Sequence, residues 1–454
     1  MDAPKTAPPP RQPSSQPGQP APRPPQGQSG GEADVWNILR PRETLEDYGV
    51  PPTIIYDLLM RMLFQEGEVS IKRFMDVIRI SFPVVDAIML KMQQDHQVEI
   101  ARAGNLGRAS YIYRLTDEGA ARARDSLDRN QYVGPIPVPV EVYNQMILMQ
   151  TSTRAKISPD DVQKAIAHLI LPDGFHRRIG PALNGGSSLF LYGPPGNGKT
   201  TVAQAIAGIL AGTDPIWLPY AVTAGGQIIS IYDRLVHKPY EPTKEQAENL
   251  GEYDRRWGLF DRPAVMVGGE LTMEGLDLRY DEVSKFYEGP LQLKANGGMF
   301  LIDDFGRQQM EPQQLLNRWI VPLESGFDFL RLRTGQTIQM PFRQLIVFST
   351  NLDPNQLMDG AFLRRIQMKV QIESPDIRMF HIIFESMCRR MGVEPNTDVF
   401  KHLVEEWYRK PKRTLQSVHP RDILKIVRSL CDYEGKPFQL TPALIDEACR
   451  CYFV

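Results

Sequence analysis

Apolar positions recur along this chain in distinct rhythms, and the places where the rhythm changes divide it. Over residues 53–64, 70–80 and 83–93 they return every three or four residues, the spacing of a helix with one buried face. Val98–Arg102 and residues 111–115 then read as two strands around the turn Gly104-Asn-Leu-Gly107, and Thr116 is placed to N-cap a further helix. Val133-Gly-Pro-Ile-Pro-Val-Pro139 is an extended connector whose prolines restrict φ. Ser158-Pro-Asp-Asp-Val has the cap, first-turn proline and acidic residues of a helix start. Beyond it, short apolar runs at 189–192, 216–222, Ala264–Val267, Met299–Ile302 and 344–349 predict strands buried on both faces. Their alternation with helical stretches predicts a doubly wound α/β domain around a parallel sheet. From Pro375 onward the pattern is helical, over 376–391, 398–409, 420–430 and Pro442–Tyr452.

Composition adds boundaries at the start of the chain. Residues 1–33 are mostly Pro, Gln, Ser, Gly and Ala, too little apolar surface to offset the entropy of ordering, so a disordered tail is expected. The resulting division is tail 1–33, an α+β unit 39–133, a linker 134–157, an α/β core 158–375 and a helical domain 376–454. The whole chain has 454 residues, 42% hydrophobic and 23% charged, which describes a multidomain globular protein. Its net charge of −2 provides no bulk attraction for nucleic acid or anionic membrane. Four cysteines, all late and without paired C-x₂-C spacing, suit a reducing cytoplasm. No apolar run approaches the ~18 residues of a membrane span.

Three helices followed by a two-stranded wing make residues 39–133 resemble a winged helix. Such domains often place their third helix in the DNA major groove. Here that helix carries one lysine, Lys91, against Asp86, and the wing adds Arg102, Arg108 and Arg114. A base-reading helix ordinarily spends more cationic and amide groups, so protein docking is expected ahead of DNA binding.

The chemistry concentrates after the apolar run 189–192. Gly193-Pro194-Pro195-Gly196-Asn197-Gly198-Lys199-Thr200-Thr201 fits G-x-x-x-x-G-K-[ST], with a strand before it and a helix after it. Small residues there let backbone N–H groups wrap phosphate oxygens, Lys199 supplies charge to the terminal phosphates, and the Thr200 hydroxyl is a Mg²⁺ ligand. Gly298-Met-Phe-Leu-Ile-Asp303-Asp304 ends a buried strand in two carboxylates: Asp303 for the metal, Asp304 to orient or deprotonate an attacking water. A later strand ends at Asn351, an amide placed to sense the γ-phosphate or that water.

This order, continued by Ala361-Phe-Leu-Arg364-Arg365-Ile and by Val418-His-Pro-Arg421-Asp422, resembles the AAA+ ATPases over roughly residues 158–454. The resemblance implies a P-loop α/β core with an α-helical lid. It makes residues 193–200 Walker A, Asp303 and Asp304 Walker B, Asn351 sensor 1, Arg364 or Arg365 an arginine finger, and Arg421 sensor 2. It also implies ATP and Mg²⁺ and a homo-oligomeric ring, commonly a hexamer, with nucleotide between subunits. Bacterial AAA+ proteins described as ATPases with chaperone activity are the nearest likeness. The expected function is therefore ATP-driven remodelling of a protein partner, the alternative being an ATP-controlled DNA-binding regulator or helicase loader.

Two departures stand out. The second Walker B residue is usually Glu, and Asp304 is one methylene shorter. The separation of Lys199 from Asp303 also far exceeds the ~30 residues of one βαβ crossover, so an insertion is expected at about 238–290. A hairpin is expected at about 329–342, around Thr334-Gly335-Gln336.

Overall fold

A computed structural model describes residues 30–453 except 105–106, 153–155, 186–187 and 358–359. Residues 1–29 of the expected 1–33 tail and Asn105 and Leu106 of the turn expected at 104–107 lie outside the described residues, and the last four tail positions instead begin the helix Gly30–Ile38.

The central sheet is built from β1 (Ser188–Tyr192), β2 (Ala264–Val267), β3 (Met299–Ile302), β4 (Leu345–Thr350) and β5 (Met368–Gln371). All five are parallel, in the order β2-β3-β4-β1-β5. Because successive side chains on a strand point to opposite faces, the continuous apolar runs supply two cores. Leu189, Leu191, Met299, Leu301 and Val347 pack with Val202 and Ile206 of the helix Lys199–Ala211. Phe190, Phe300, Ile302 and Phe348 pack on the other face with Leu315, Leu316 and Trp319 of the helix Pro312–Ser325. Every strand thereby ends its buried stretch at one edge of the sheet, where the polar residues of the site emerge.

The helix start at Ser158 is a reciprocal cap: its Oγ accepts from Asp161 N at 3.2 Å, and the Asp161 carboxylate accepts from Ser158 N at 3.2 Å. The C-terminal helices Ile377–Met391, Thr397–Val404, His419–Tyr433 and Pro442–Tyr452 enclose an apolar cluster of their own.

Nearer the N-terminus, helices Pro52–Glu66, Ile71–Val77 and Phe82–Gln94 pack against an antiparallel sheet of Glu68–Ser70, Ile112–Leu115 and Val98–Arg102. Thr116 caps the helix Asp117–Arg129, its Oγ1 accepting from Gly119 N at 3.1 Å.

Between Lys199 and Asp303 the structure departs from the expected layout. The apolar run 216–222 is not a strand of the parallel sheet. It divides: Ile216–Pro219 pairs antiparallel with Trp257–Phe260, and Ala221–Ala224 pairs antiparallel with Gln227–Ser230. Residues buried on both faces look alike in sequence whichever sheet receives them. The turn Gly225-Gly226, with φ of 56° and 74°, is the two-residue hairpin geometry that glycine permits, and its Gly-Gly pair was the legible signal. The inserted material therefore begins directly after the helix Lys199–Ala211, well before residue 238. It forms a second sheet in which Val138–Pro139 lies beside Ala221–Ala224, with Arg279–Tyr280 at the far edge.

The linker 134–157 also differs, since Val140–Ser152 is a helix with Tyr143, Met146 and Ile147 buried at helical spacing. Gln150 at its inner face trades two hydrogen bonds with the backbone of Trp217, at 2.7 and 3.0 Å. The hairpin appears as Phe327–Arg331 paired with Thr337–Pro341. Its inner residues Leu330, Leu332, Ile338 and Met340 bury against the inserted sheet.

Candidate functional site

The C-terminal end of β1 turns sharply at Gly193, whose φ is 139° and where a Cβ would stand 2.1 Å from the Ile372 carbonyl oxygen. No other residue type fits so close a backbone approach. The loop then delivers Lys199 and Thr200 to the first turn of the helix Lys199–Ala211. Lys199 is 6% exposed, and its ammonium donates to the carbonyls of Gly193 and Pro194 at 2.9 and 2.8 Å. Burial pulls its pKa below the usual lysine range, against the opposing attraction of Asp303 and Asp304.

Thr200 Oγ1 donates to Asp303 Oδ2 at 2.7 Å, so the hydroxyl of one strand's helix and the carboxylate of β3 meet although the chain separates them widely. Two oxygen donors beside an anion-binding loop suit a hard cation such as Mg²⁺, and these residues fit that role. Next to them Asp304 adopts a left-handed backbone, φ 49°, and Asn351 Nδ2 at the end of β4 donates to Asp304 Oδ1 at 3.2 Å. Asp303, Asp304, Asn351, Lys199 and Thr200 thus converge, as the motif spacing implied.

The arginines are distributed differently. Arg365 Nε donates to Glu324 at 2.6 Å on the helix Pro312–Ser325, so it is engaged within its own subunit. Arg364 is exposed, and no salt bridge of its side chain is found among the described residues. Arg421 pairs with its neighbour Asp422 at 2.8 Å, in the first turn of the helix His419–Tyr433.

Two contacts between the loop and the lid, and one between the loop and the core residue Ser374, were not foreseen. Val418 N donates to the Gly196 carbonyl at 2.9 Å. Asn197 Oδ1 accepts from Ser417 N at 3.0 Å, while its Nδ2 donates to Ser374 Oγ at 3.2 Å. The variable position of the Walker pattern is therefore the lid's attachment point, and nothing in local periodicity marks Ser374 or Ser417 as its partners.

Comparison with known proteins agrees with this geometry. Residues 175–216, which contain the phosphate loop, match the family model described as magnesium chelatase, subunit ChlI. A protein of Corynebacterium jeikeium (strain K411) described as an AAA ATPase forming ring-shaped complexes is 35% identical over 83 residues. Over the phosphate-loop region the chain is thus similar to AAA+ ATPases. That relative is matched over 18% of this chain and 14% of its own length. Residues 376–451, the lid, match a domain of unknown function, DUF8689.

Among solved structures, a point mutant of Thermotoga maritima RuvB is 12% identical with a TM-score of 0.35, covering 66% of this chain and 73% of that one. NtrX from Brucella abortus is 14% identical with a TM-score of 0.36, covering 63% and 52%. Scores this low carry no argument, and the AAA+ assignment rests on the sequence matches and the assembled site. No helix among the described residues is long and apolar enough to cross a membrane.

Proposed function

We propose that this AAA+ core binds and hydrolyses ATP with Mg²⁺ in a homo-oligomeric ring and uses the cycle to remodel a protein partner. The observation that carries the reading is the convergence of Lys199, the Thr200–Asp303 pair and the Asp304–Asn351 pair at one edge of the sheet. Thr200 and Asp303 would hold Mg²⁺, which would supply charge neutralisation at the terminal phosphates. Lys199 binds those phosphates, and Asp304, steadied by Asn351, orients the attacking water and takes its proton. The name of the Corynebacterium relative supports a ring. Within it, Arg364 is the better candidate to reach a neighbouring subunit's nucleotide, because Arg365 is already paired with Glu324. Tyr280 and Arg333, stacked at 4.7 Å where the hairpin meets the inserted sheet, are the surface we assign to substrate contact.

A protein partner is favoured over DNA by one feature of the N-terminal unit. All three wing arginines are paired with acids: Arg102 with Glu68 at 3.2 Å, Arg108 with Asp86 at 3.2 Å and Arg114 with Glu99 at 2.6 Å. Paired cations release few counterions on meeting phosphate.

Phosphate release by wild type, Lys199→Ala and Asp304→Ala tests the enzyme reading: both variants should lose at least about 100-fold, and equal rates from all three would sink it. A salt titration of duplex DNA binding tests the partner. Little binding at any salt is expected, and a steep loss of affinity with rising salt would favour the DNA-controlled reading.

A further inference from the structure

Asp304 occupies an awkward place. Its φ of 49° is a conformation that non-glycine residues rarely adopt, and its carboxylate is the shorter of the two acidic side chains. Something must hold the backbone there. The turn after β3 is followed by Gln308, whose side chain folds back over it. Gln308 Oε1 accepts from Gly306 N at 2.8 Å. Its Nε2 reaches the carbonyl oxygens of Asp303 at 3.0 Å, Asp304 at 3.2 Å and Gly268 at 3.5 Å. One amide thus gathers both sides of the strained residue and ties them to Gly268, the residue that leaves the end of the adjacent strand β2. Phe305, between them, is fixed to β4 by its own N–H to the Ser349 carbonyl at 2.7 Å. Its carbonyl accepts from Thr350 Oγ1, also at 2.7 Å.

We propose that Gln308 is a positioning residue for the reaction: it sets the left-handed backbone that aims the Asp304 carboxylate at the attacking water. Gln308 touches no substrate. Its bonds are to main-chain atoms, so its contribution lies in where Asp304 points. The tie to Gly268 joins it to the residue from which the inserted segment continues towards the N-terminal unit.

The proposal rests on the hydrolysis reading above, and the experiment separates the two. Gln308→Met keeps the length and apolar bulk while removing the amide, and Gln308→Glu keeps an acceptor for Gly306 while removing the donor. Turnover and nucleotide affinity are measured for wild type, both variants and Gln308→Ala, together with hydrogen exchange at the Gly306 amide. Misplacement of a catalytic group by about 1 Å costs about 100-fold, so Gln308→Ala and Gln308→Met should lose turnover on that order with nucleotide affinity unchanged. Gln308→Glu should retain Gly306 protection without recovering turnover. Wild-type turnover from Gln308→Met would show that bulk alone matters and would overturn the proposal, as would a fall in nucleotide affinity matching the fall in rate. Should the wild type itself hydrolyse nothing, the hydrolysis reading fails. Gly306 exchange then decides the positioning role by itself: protection lost in Gln308→Met supports it, and unchanged protection refutes it.

Discussion

Two appendages flank the AAA+ core, and they are fastened by different physics. The N-terminal unit is fused to the inserted segment through apolar contact and backbone bonds. Its hydrophobic cluster takes in Ala221 and Ile228 from the insertion, and Tyr132 meets Phe286 edge to face at 5.4 Å. Gln131 N donates to the Ser284 carbonyl at 2.8 Å, and Arg256, 2% exposed, links Asp254 to the Tyr48 carbonyl. The lid's apolar cluster, by contrast, is drawn wholly from residues 380–453. Its links to the phosphate loop are polar: Gly196 with Val418, and Asn197 with Ser417. Hydrogen bonds of this kind each contribute a net ~1 kcal/mol and exchange readily with water, whereas a shared apolar core does not separate without exposing it. The lid is thus separable from the phosphate loop at lower cost than the N-terminal unit is from the insertion.

The strongest way to break this contrast is Arg256→Ala. It leaves Asp254 buried with Arg42, at 3.0 Å, as its remaining cationic partner, and should cost about 3–5 kcal/mol in chemical denaturation. A loss confined to the N-terminal unit, with the insertion still folded, would show that the two are separable. Next comes acid. His419 is 5% exposed in the lid, Tyr408 hydroxyl lies 2.9 Å from its Nδ1, and burial pushes its pKa down to about 4. The unfolded chain takes up this proton near pH 6.5 and the folded lid only near 4. Lid stability is therefore complete above about 6.5 and falls as pH drops through that window, by up to roughly 3 kcal/mol. Melting of His419→Phe should lack this slope between pH 6.5 and 4, and an unchanged slope would place the proton elsewhere. Asn197→Ala should cost only ~1 kcal/mol, but hydrogen exchange at Ser417 N should quicken while residues 48–132 stay protected. The smallest effect is expected from Arg114→Ala, an exposed pair worth under ~1 kcal/mol, with duplex DNA binding unaltered.

Sequence and structure agree most closely where short-range chemistry dictates the answer. The placement of residues 193–200, Asp303, Asp304 and Asn351 at the ends of apolar strands was legible from the runs that precede them. The hairpin was legible from alternation around Gly335. The run 216–222 was misplaced because burial on both faces erases the pattern that would say which sheet a strand joins. The helix Val140–Ser152 was hidden behind a proline-rich start that reads as linker. Gln308, Ser374 and Ser417 carried no signal, since their roles consist of bonds to main-chain atoms or small polar groups that only the folded turn brings near.

The sharing of the N-terminal cluster with Ala221 and Ile228, and its bordering by Phe286, has a consequence for synthesis on the ribosome. The segment that emerges early completes its apolar cluster only when Ala221 and Ile228 have also emerged. At ~5–20 residues per second, the wait from Tyr132 to Phe286 is roughly 10–30 s. During that interval the cluster lacks Ala221 and Ile228, and Tyr132 lacks the Phe286 ring. The N-terminal unit of this chain comes first in sequence and among the last to be completed.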